Sequence, residues 1–261
     1  MIEKTGEFGR MFAVEEQLWW YRHLHDQVIR RIQARFGQRR DLTILDAGCG
    51  TGGLLSRLRQ AGYTAIHGVD GSPEGVTFCR ERGLPVDLLN LNQLASYSPA
   101  GMSDASFDVI ICNDVFCYFV DTDLIPLLSE FERRLRPGGI LISNNNAFSV
   151  FWGEHDLAVG SLRRFVRADF NRLLVDTGLQ IRSATYWSFL LSPLILLVRQ
   201  WQALKLRLRK RPAAELTSDV ELSPPLLNQW LYSVVSFERK LIPSAPFGSS
   251  LLLEIEPGTR A

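Results

Sequence analysis

The chain has few cysteines and almost no excess charge of either sign. Its four cysteines, Cys49, Cys79, Cys112 and Cys117, show no C-x-x-C spacing, and no paired histidine ligands accompany them. This excludes a disulfide scaffold and predicts reduced, mostly buried thiols and no bound metal. The 29 basic and 28 acidic residues leave a formal net charge of +1. Such a balance provides no overall field that would attract a nucleic acid.

Long apolar runs are also missing. Charged side chains interrupt residues 1–20, which does not suit a secretory signal, so we expect a cytoplasmic protein. The apolar run at residues 186–198 contains Pro193 and is only 13 residues long, whereas a membrane-spanning helix needs about 20. The hydrophobic fraction of 46% in 261 residues suffices for one large domain with an appended segment.

Apolar residues recur with two different periods along the chain. Residues 14–36 carry them at helical spacing and end before Gly37, which predicts an N-terminal helix. From Leu42 to Ser143, short apolar strands alternate with helical segments, which is typical of a parallel sheet covered on both faces. We therefore predict an α/β fold with a helical cap (1–41), a core (42–186), a mostly helical insertion (187–248) and a final strand with its tail (249–261).

The segment LDAGCGTGG, residues 45–53, follows an apolar strand and precedes a helix. Its glycines lie where the backbone must turn tightly and approach a ligand. Gly48, Gly50 and Gly53 satisfy G-x-G-x-x-G, which by itself is a weak signal for a dinucleotide site. Asp46, however, stands two residues before the first glycine. A carboxylate there would repel a pyrophosphate and attract the ammonium and sulfonium groups of S-adenosylmethionine.

A second acidic residue ends the next predicted strand. Asp70 lies in GVDGSP, where Ser72 and Pro73 favour the start of a helix. A carboxylate at this place can accept hydrogen bonds from both hydroxyls of a ribose. The plainer alternatives are that Asp70 only helps to cap the helix and that Asp46 only forms a turn.

These segments, followed by FDVIICNDV, RRLRPGGILI and DTGL, occur in an order that resembles the class I S-adenosylmethionine-dependent methyltransferases. WWY, HDLAVGSLRRF and FERKLIPSAPFGSSLLLEI further resemble a bacterial group of small-molecule or lipid-intermediate methyltransferases. The resemblance implies a Rossmann-like, seven-stranded, mostly parallel sheet whose last strand is antiparallel. It also implies S-adenosylmethionine as the cofactor.

The same resemblance implies which residues bind the cofactor. The loop glycines would line its methionine portion, Asp70 its ribose and the NLNQL stretch its adenine. The family usually has Asp where this chain has Asn90, whose amide can still meet an adenine edge. The predicted cofactor site is Asp46, Gly48, Cys49, Gly50, Gly52, Asp70, Gly71, Asn90, Leu91, Asn113 and Asp114.

Residues 144–165 follow the fifth strand and leave the sheet at its carboxyl edge, where ligands bind in such folds. This stretch is the predicted wall of the methyl-acceptor site. His155 is a candidate general base, and Asp156 would orient an imidazole or cap a helix, with a surface turn as the alternative. Arg163 and Arg164 are candidates to hold a phosphate or carboxylate, or they simply begin a solvated helix.

An aromatic block lies on the predicted N-terminal helix. Trp19, Trp20 and Tyr21 are expected to close over the cofactor or acceptor and exclude water, or else to pack the cap against the sheet. His23 and His25 have no metal-ligand context, and we interpret them as surface or capping residues.

Two positions depart from the resembling proteins on the acceptor side. Tyr118 and Ser161 stand where those proteins usually carry His, and Tyr118 is a candidate to hydrogen-bond the acceptor or a packed core residue. The leading hypothesis is methyl transfer to an oxygen of a small-molecule or lipid-linked acceptor, with nitrogen and carbon as lesser options. One alternative is a cofactor-binding module that has lost catalysis. Another is an NAD-dependent oxidoreductase, which Asp46 and the RPGG segment argue against. The chain reads CNDVF rather than N-P-P-Y after the fourth strand, which disfavours nucleic-acid methylation.

The predicted insertion has an amphipathic segment. Leu197, Trp201, Leu204 and Leu208 fall on one helical stripe, and the basic tract LKLRLRKR surrounds its end. Such a helix suits contact with an anionic membrane surface and a lipid-linked acceptor. The alternative is a lid or a homodimer contact whose apolar face is buried in protein.

Overall fold

A seven-stranded sheet forms the centre of the molecule. The computed structural model describes residues 6–97, 107–209, 218 and 220–258. In chain order the strands are Ile44–Ala47 (β1), Ile66–Asp70 (β2), Val86–Leu88 (β3), Phe107–Ile111 (β4), Leu135–Asn146 (β5), Leu179–Trp187 (β6) and Ser250–Pro257 (β7). Across the sheet their order is β3-β2-β1-β4-β5-β7-β6.

The strand directions agree with the predicted topology. Parallel pairing joins β3, β2, β1, β4 and β5, and β7 is antiparallel to both of its neighbours, β5 and β6. β7 therefore runs against the other six described strands. The predicted mostly parallel sheet with an antiparallel last strand is confirmed.

Helices cover both faces of the sheet. In chain order they are Glu7–Val14 (α1), Trp19–Phe36 (α2), Gly53–Gln60 (α3), Pro73–Glu81 (α4), Asp121–Arg134 (α5), Glu154–Val159 (α6), Arg167–Leu173 (α7), Ser192–Arg209 (α8) and Pro225–Leu241 (α9). One core packs α5 and α7 on the sheet through Phe131 and Phe170. A second packs α2 and α3 on the opposite face through Ile32 and Leu55. β1 and β4 are buried along their whole length because both of their faces are covered.

The N-terminal segment forms two helices rather than the single helix predicted from residue 14. The chain turns after α1, and α2 begins at Trp19 with Leu18 in an extended conformation. The interpretation of His23 and His25 as surface residues is wrong, because both are buried. Burial lowers the pKa of each imidazole to about 4, so both are neutral at pH 7.

The segment between β6 and β7 contains α8 and α9. α9 packs on α2 and β6, and α8 packs beside α6. Residues 210–217 and 219, which include the end of the basic tract, lie outside the described residues. Within the part of the chain that the structure describes, no helix combines the length and hydrophobicity that crossing a membrane requires.

The cysteine side chains follow the expectation from the sequence. All four are buried, and none is in a disulfide. Among the described residues, no group of three or more His, Cys, Asp and Glu side chains is placed to hold a metal ion.

Candidate active site

A cavity of about 680 Å³ opens at the carboxyl edge of the sheet. It lies where β1 and β4 are neighbours, which is the point at which the strand order changes direction and at which ligands bind in open α/β sheets. The ends of β1 to β5 contribute to its walls, and α1, α2, α6, α8 and α9 contribute further lining residues.

The glycine loop after β1 depends on glycine at two cavity-lining positions. Gly48 and Gly50 have φ values of 82° and 57°, in the left-handed region that side chains disfavour. A Cβ atom at Gly48 would collide with the side chain of Val115, and one at Gly50 would crowd Met11. The loop backbone therefore lies open toward the cavity beside Cys49, which also lines it.

Asp70 joins the glycine loop to the start of α4. Its Oδ2 accepts a hydrogen bond from the backbone N–H of Gly50 at 2.8 Å, and its Oδ1 accepts one from Ser72 N–H at 2.8 Å. Ser72 in turn caps α4 by accepting from Gly75 N–H. The carboxylate thus shapes both loops and, with Gly71, lines the cavity.

Gly52 lies elsewhere than predicted. It is the N-cap of α3, with φ of 83°, and a Cβ atom there would meet Leu84 and Cys79. Among the described residues that line the cavity, Gly52 is not included. Its role is close packing of α3, because the loop curves away from the cavity after Gly50.

Buried carboxyl groups gather at the glycine-loop end of the cavity. Burial, with the nearby charges of Asp70 and Glu15, raises the pKa of Asp46 to about 8. Burial also raises the pKa of Glu15 to about 7 and raises that of Asp70. Negative charge is therefore costly at this end of the cavity, and a bound cation would lower that cost.

Sequence reasoning missed Glu15 and the helix before it. Glu15 accepts a hydrogen bond from the Thr51 hydroxyl and forms a salt bridge with Arg82 at 2.8 Å. Met11 lies against Gly50, and the Phe12 and Phe78 rings stack at 4.5 Å. α1 and the turn after it thereby cover the glycine loop. The two segments lie some 35 residues apart in the sequence, and no local pattern predicts their contact.

The end of β3 supplies the wall predicted to hold the adenine. Asn90, Leu91 and Asn92 line the cavity there. The Asn90 side-chain oxygen accepts from Asn92 N–H at 3.1 Å and caps the short 3-10 helix Leu91–Ser96. An amide therefore serves the capping function that a carboxylate would also serve.

A hydrogen-bonded group lies at the end of β4. Asn113 Oδ1 accepts from Asn144 N–H at 2.9 Å, and Asn144 Nδ2 donates to both carboxylate oxygens of Asp114 at 3.1 Å. Trp187 Nε1 donates to Asn144 Oδ1 at 2.9 Å. Asn113 and Asp114 both line the cavity, as predicted, and Asn144 and Trp187 form a buried support behind them.

Much of the cavity wall is aromatic and aliphatic. Trp19, Trp20 and Tyr21 line the cavity from α2, and the Trp20 ring lies 5.6 Å from that of Trp187. His25 lines it as well. Further apolar lining comes from the stretch predicted as the acceptor wall and from the predicted insertion: Phe151, Leu191, Leu194, Ile195, Val198 and Leu231.

The structure decides between the two roles considered for Asp156 and pairs it with Arg164, which lines the cavity. His155 and Tyr118 line the cavity, but Asp156 is fully buried. Its carboxylate binds Arg164 through two contacts of 2.9 Å and accepts Gly153 N–H at 2.8 Å. Asp156 therefore caps α6 and neutralises Arg164 instead of orienting an imidazole.

Arg163 and Ser161 also have structural partners. Arg163 forms a salt bridge with Asp121 and lies 4.6 Å from the centre of the Phe165 ring. It is absent from the cavity lining among the described residues, so it does not hold an acceptor there. Ser161 is buried and donates to the Cys117 sulfur at 3.6 Å.

Comparison with known proteins gives matches to methyltransferases. Residues 45–143 match the family described as Methyltransferase domain. The ubiquinone biosynthesis O-methyltransferase of Rickettsia prowazekii (strain Madrid E) is 25% identical over 196 residues, or 69% of this chain and 72% of that protein.

Two solved structures share the fold. A methyltransferase in complex with the Trm112 methyltransferase activator of Haloferax volcanii is 21% identical with a TM-score of 0.57, covering 97% of this chain and 98% of that one. The geranyl diphosphate C-methyltransferase of Streptomyces coelicolor A3(2) is 16% identical with a TM-score of 0.54, covering 89% of this chain and 77% of that one.

The strand order, the antiparallel β7 and the glycine loop flanked by acids define the class I, S-adenosylmethionine-dependent methyltransferase fold. Residues 45–143 match a methyltransferase domain, and S-adenosylmethionine is the cofactor. Of the two interpretations of the glycine segment, the dinucleotide one is therefore set aside.

Proposed function

We propose that this protein transfers the methyl group of S-adenosylmethionine to a hydroxyl oxygen of an apolar small-molecule or lipid-linked acceptor. The observation that carries the proposal is that two chemically different sets of side chains line one cavity. The acidic residues and the glycine loop suit a cationic cofactor. The aromatic and aliphatic side chains suit an apolar acceptor.

The proposed residue roles follow this division. The cofactor would bind Asp46, Gly48, Cys49, Gly50, Asp70, Gly71, Asn90, Leu91 and Asn113, all of which line the cavity. Trp19, Trp20 and Tyr21 would enclose the acceptor and exclude water, with Tyr118 and His155 beside it. Oxygen is the preferred target because the relative from Rickettsia prowazekii is named an O-methyltransferase.

Methyl-labelled S-adenosylmethionine tests this proposal with a matched set of acceptors. The set contains a catechol with a long alkyl tail, the same catechol without the tail, and an aniline that carries the tail. We expect the label in the tailed catechol, as a methyl ether identified by mass spectrometry. Label in the aniline alone would contradict oxygen as the target, and cofactor binding without any transfer would indicate an inactive binding module.

A cavity variant tests the acceptor end separately. Leu194 lines the cavity and is half exposed, so Leu194→Glu can fold while placing a charge among apolar side chains. An uncompensated polar group costs about 1–3 kcal/mol, so KM for the tailed catechol should rise at least about tenfold. The exposed Val175, outside the cavity, provides the control Val175→Glu. Equal KM values in the two variants would contradict an apolar acceptor end.

We also propose a peripheral membrane contact through α8. Leu197, Trp201 and Leu204 are exposed on this helix, and Leu194 and Val198 of the same helix line the cavity. An acceptor dissolved in a membrane could pass from the exposed face to the cavity along one helix. A contact between two copies of the chain is the alternative for the same surface.

A further inference from the structure

Asp114 lines the cavity just after β4, which lies between β1 and β5 in the sheet. β4 ends at Ile111, which pairs with Asp46 of β1, so the chain after β4 begins beside the glycine loop. On its other side β4 pairs with β5, whose following segment carries His155 and Phe151. A methyl group that passes from a cofactor on the loop to an acceptor beside His155 and Phe151 would pass the position of Asp114.

The Asp114 carboxylate is held in place from behind. Its backbone has φ of 56°, a left-handed conformation that residues other than Gly rarely adopt. Such residues cluster at functional sites. Its N–H donates to Asn144 O at 2.8 Å, and Asn144 Nδ2 bridges its two side-chain oxygens. Because Trp187 fixes the Asn144 amide, one edge of the carboxylate is occupied and its remaining acceptor positions are available to the cavity.

We infer that Asp114 is the general base that accepts the proton of the acceptor hydroxyl, an inference that rests on the proposed O-methylation. The acceptor oxygen forms a bond to the methyl carbon while the carbon–sulfur bond breaks and its electron pair stays on sulfur. The hydroxyl proton moves to a carboxylate oxygen of Asp114. The products are the methyl ether and S-adenosylhomocysteine, and the sulfonium and carboxylate charges are both neutralised.

The surroundings of Asp114 suit proton transfer near neutral pH. Burial raises the pKa of Asp114 to about 7, although the Asn144 hydrogen bond and the Arg164 charge oppose the rise. The charge of Asp114 raises the pKa of four titratable groups packed near it. They are Tyr21 of α2 and, after β4, Cys112, Cys117 and Tyr118. Their own pKa values are raised, so these groups are neutral at pH 7. Arg164, paired with Asp156, is the cation among them.

Two residues position the Asp114 carboxylate, Asn144 directly and Trp187 through Asn144. The Asp156 carboxylate, next in sequence to the candidate His155, binds Arg164 and the N-terminus of α6. A pre-positioned base with a near-neutral pKa contributes about 100- to 10,000-fold to rate.

The kinetic test compares Asp114→Asn, His155→Ala and the control Asp176→Asn at an exposed site with the tailed catechol. We expect Asp114→Asn to lower kcat at least about 100-fold and to remove the rise of kcat with pH through about 7, with S-adenosylmethionine affinity within about threefold of the parent. His155→Ala should keep the pH rise. A kcat of Asp114→Asn within threefold of the parent, or an unchanged pH profile, would overturn the inference.

An acceptor-free measurement separates this inference from the proposed function. Infrared difference spectra of the S-adenosylhomocysteine complex, parent minus Asp114→Asn, isolate the Asp114 carboxyl group. A protonated band that disappears as the pH rises through about 7 supports the base, even if no hydroxyl acceptor is methylated and the proposed function fails. An ionised Asp114 at every pH from 5 to 8 overturns it, even if the catechol is methylated.

Discussion

At the scale of single residues, three buried carboxyl groups lie close together at the cofactor end of the cavity. Asp46 is buried, and Asp70 and Glu15 lie close enough to raise its pKa further. Because like charges resist simultaneous ionisation, these groups hold protons that water-exposed carboxyl groups would have lost at pH 7. A sulfonium ion reverses that preference, so proton release and cofactor binding are linked.

The affinity for S-adenosylmethionine should therefore rise with pH from about 6 to 8. The pKa values in the free site are about 8 for Asp46 and about 7 for Glu15. A bound cation lowers both, so binding releases protons below pH 8 and becomes independent of pH above it. Calorimetry in two buffers with different ionisation enthalpies measures the proton release directly. A dissociation constant that does not change between pH 6 and 8 would contradict the linkage.

S-adenosylhomocysteine and Asp46→Asn provide the matched controls for that measurement. S-adenosylhomocysteine lacks the sulfonium charge, so its affinity should depend less on pH. Asp46→Asn keeps the side-chain volume but removes the titrating group. It should reduce the proton release and the preference for S-adenosylmethionine over its product, with the fold unchanged.

At the scale of secondary structure, α2 begins with help from a helix some 200 residues later in the chain. Leu18 at the N-cap has no side-chain oxygen to offer, and Asn228 of α9 takes that role. Asn228 Oδ1 accepts from Trp19 N–H at 2.8 Å, and its Nδ2 donates to Gln17 O at 2.9 Å. The aromatic block of α2 therefore owes its position to the segment between β6 and β7.

Asn228→Ala should lower the free energy of unfolding by about 1–2 kcal/mol, because it removes a helix cap and its hydrogen bonds to Trp19 N–H and Gln17 O. Urea unfolding measures the change. Gln229→Ala, at the next and exposed position, is the control and should change stability by less than about 0.5 kcal/mol. We also expect a higher KM for the acceptor with unchanged cofactor affinity. Equal stability of the two variants would show that the cap is unimportant.

At the scale of the whole molecule, the cofactor domain and the later helices build one cavity from opposite sides. The glycine loop and strand ends supply the charged end, while α8 and α9 supply apolar side chains such as Ile195 and Leu231. α8 also exposes Leu197 and Trp201 away from the core. Lys205, Arg207 and Arg209 lie in its last turns. Such a composition suits the proposed contact with an anionic surface.

Vesicle sedimentation tests whether the intact protein binds a membrane through α8. We expect binding to phosphatidylserine-containing vesicles at low salt, and weaker binding at high salt because each basic residue near the surface contributes about 1 kcal/mol. Leu197→Glu with Trp201→Glu should abolish it, and the control Val175→Glu should not. Absence of binding at low salt would reject the membrane contact. A dimer that the same double variant dissociates would identify this face as a contact between copies.

The sequence by itself determined the features that depend on local backbone geometry and period. Gly48 and Gly50 could be recognised because left-handed turns require glycine wherever the rest of the chain lies. Strand and helix periods predicted the α/β sheet, and Asp46 predicted a cationic ligand from its position beside the loop. These inferences need only neighbouring residues.

Only the tertiary structure decided which residues meet across the chain. Glu15 reaches Thr51, Asn228 caps α2, and Asp156 is occupied by Arg164, none of which leaves a periodic signal in sequence. The burial of His25 was missed for the same reason. The physical cause is that burial and pairing depend on the complete set of neighbours, and residues far apart in the chain become neighbours only when the sheet and its helices have packed.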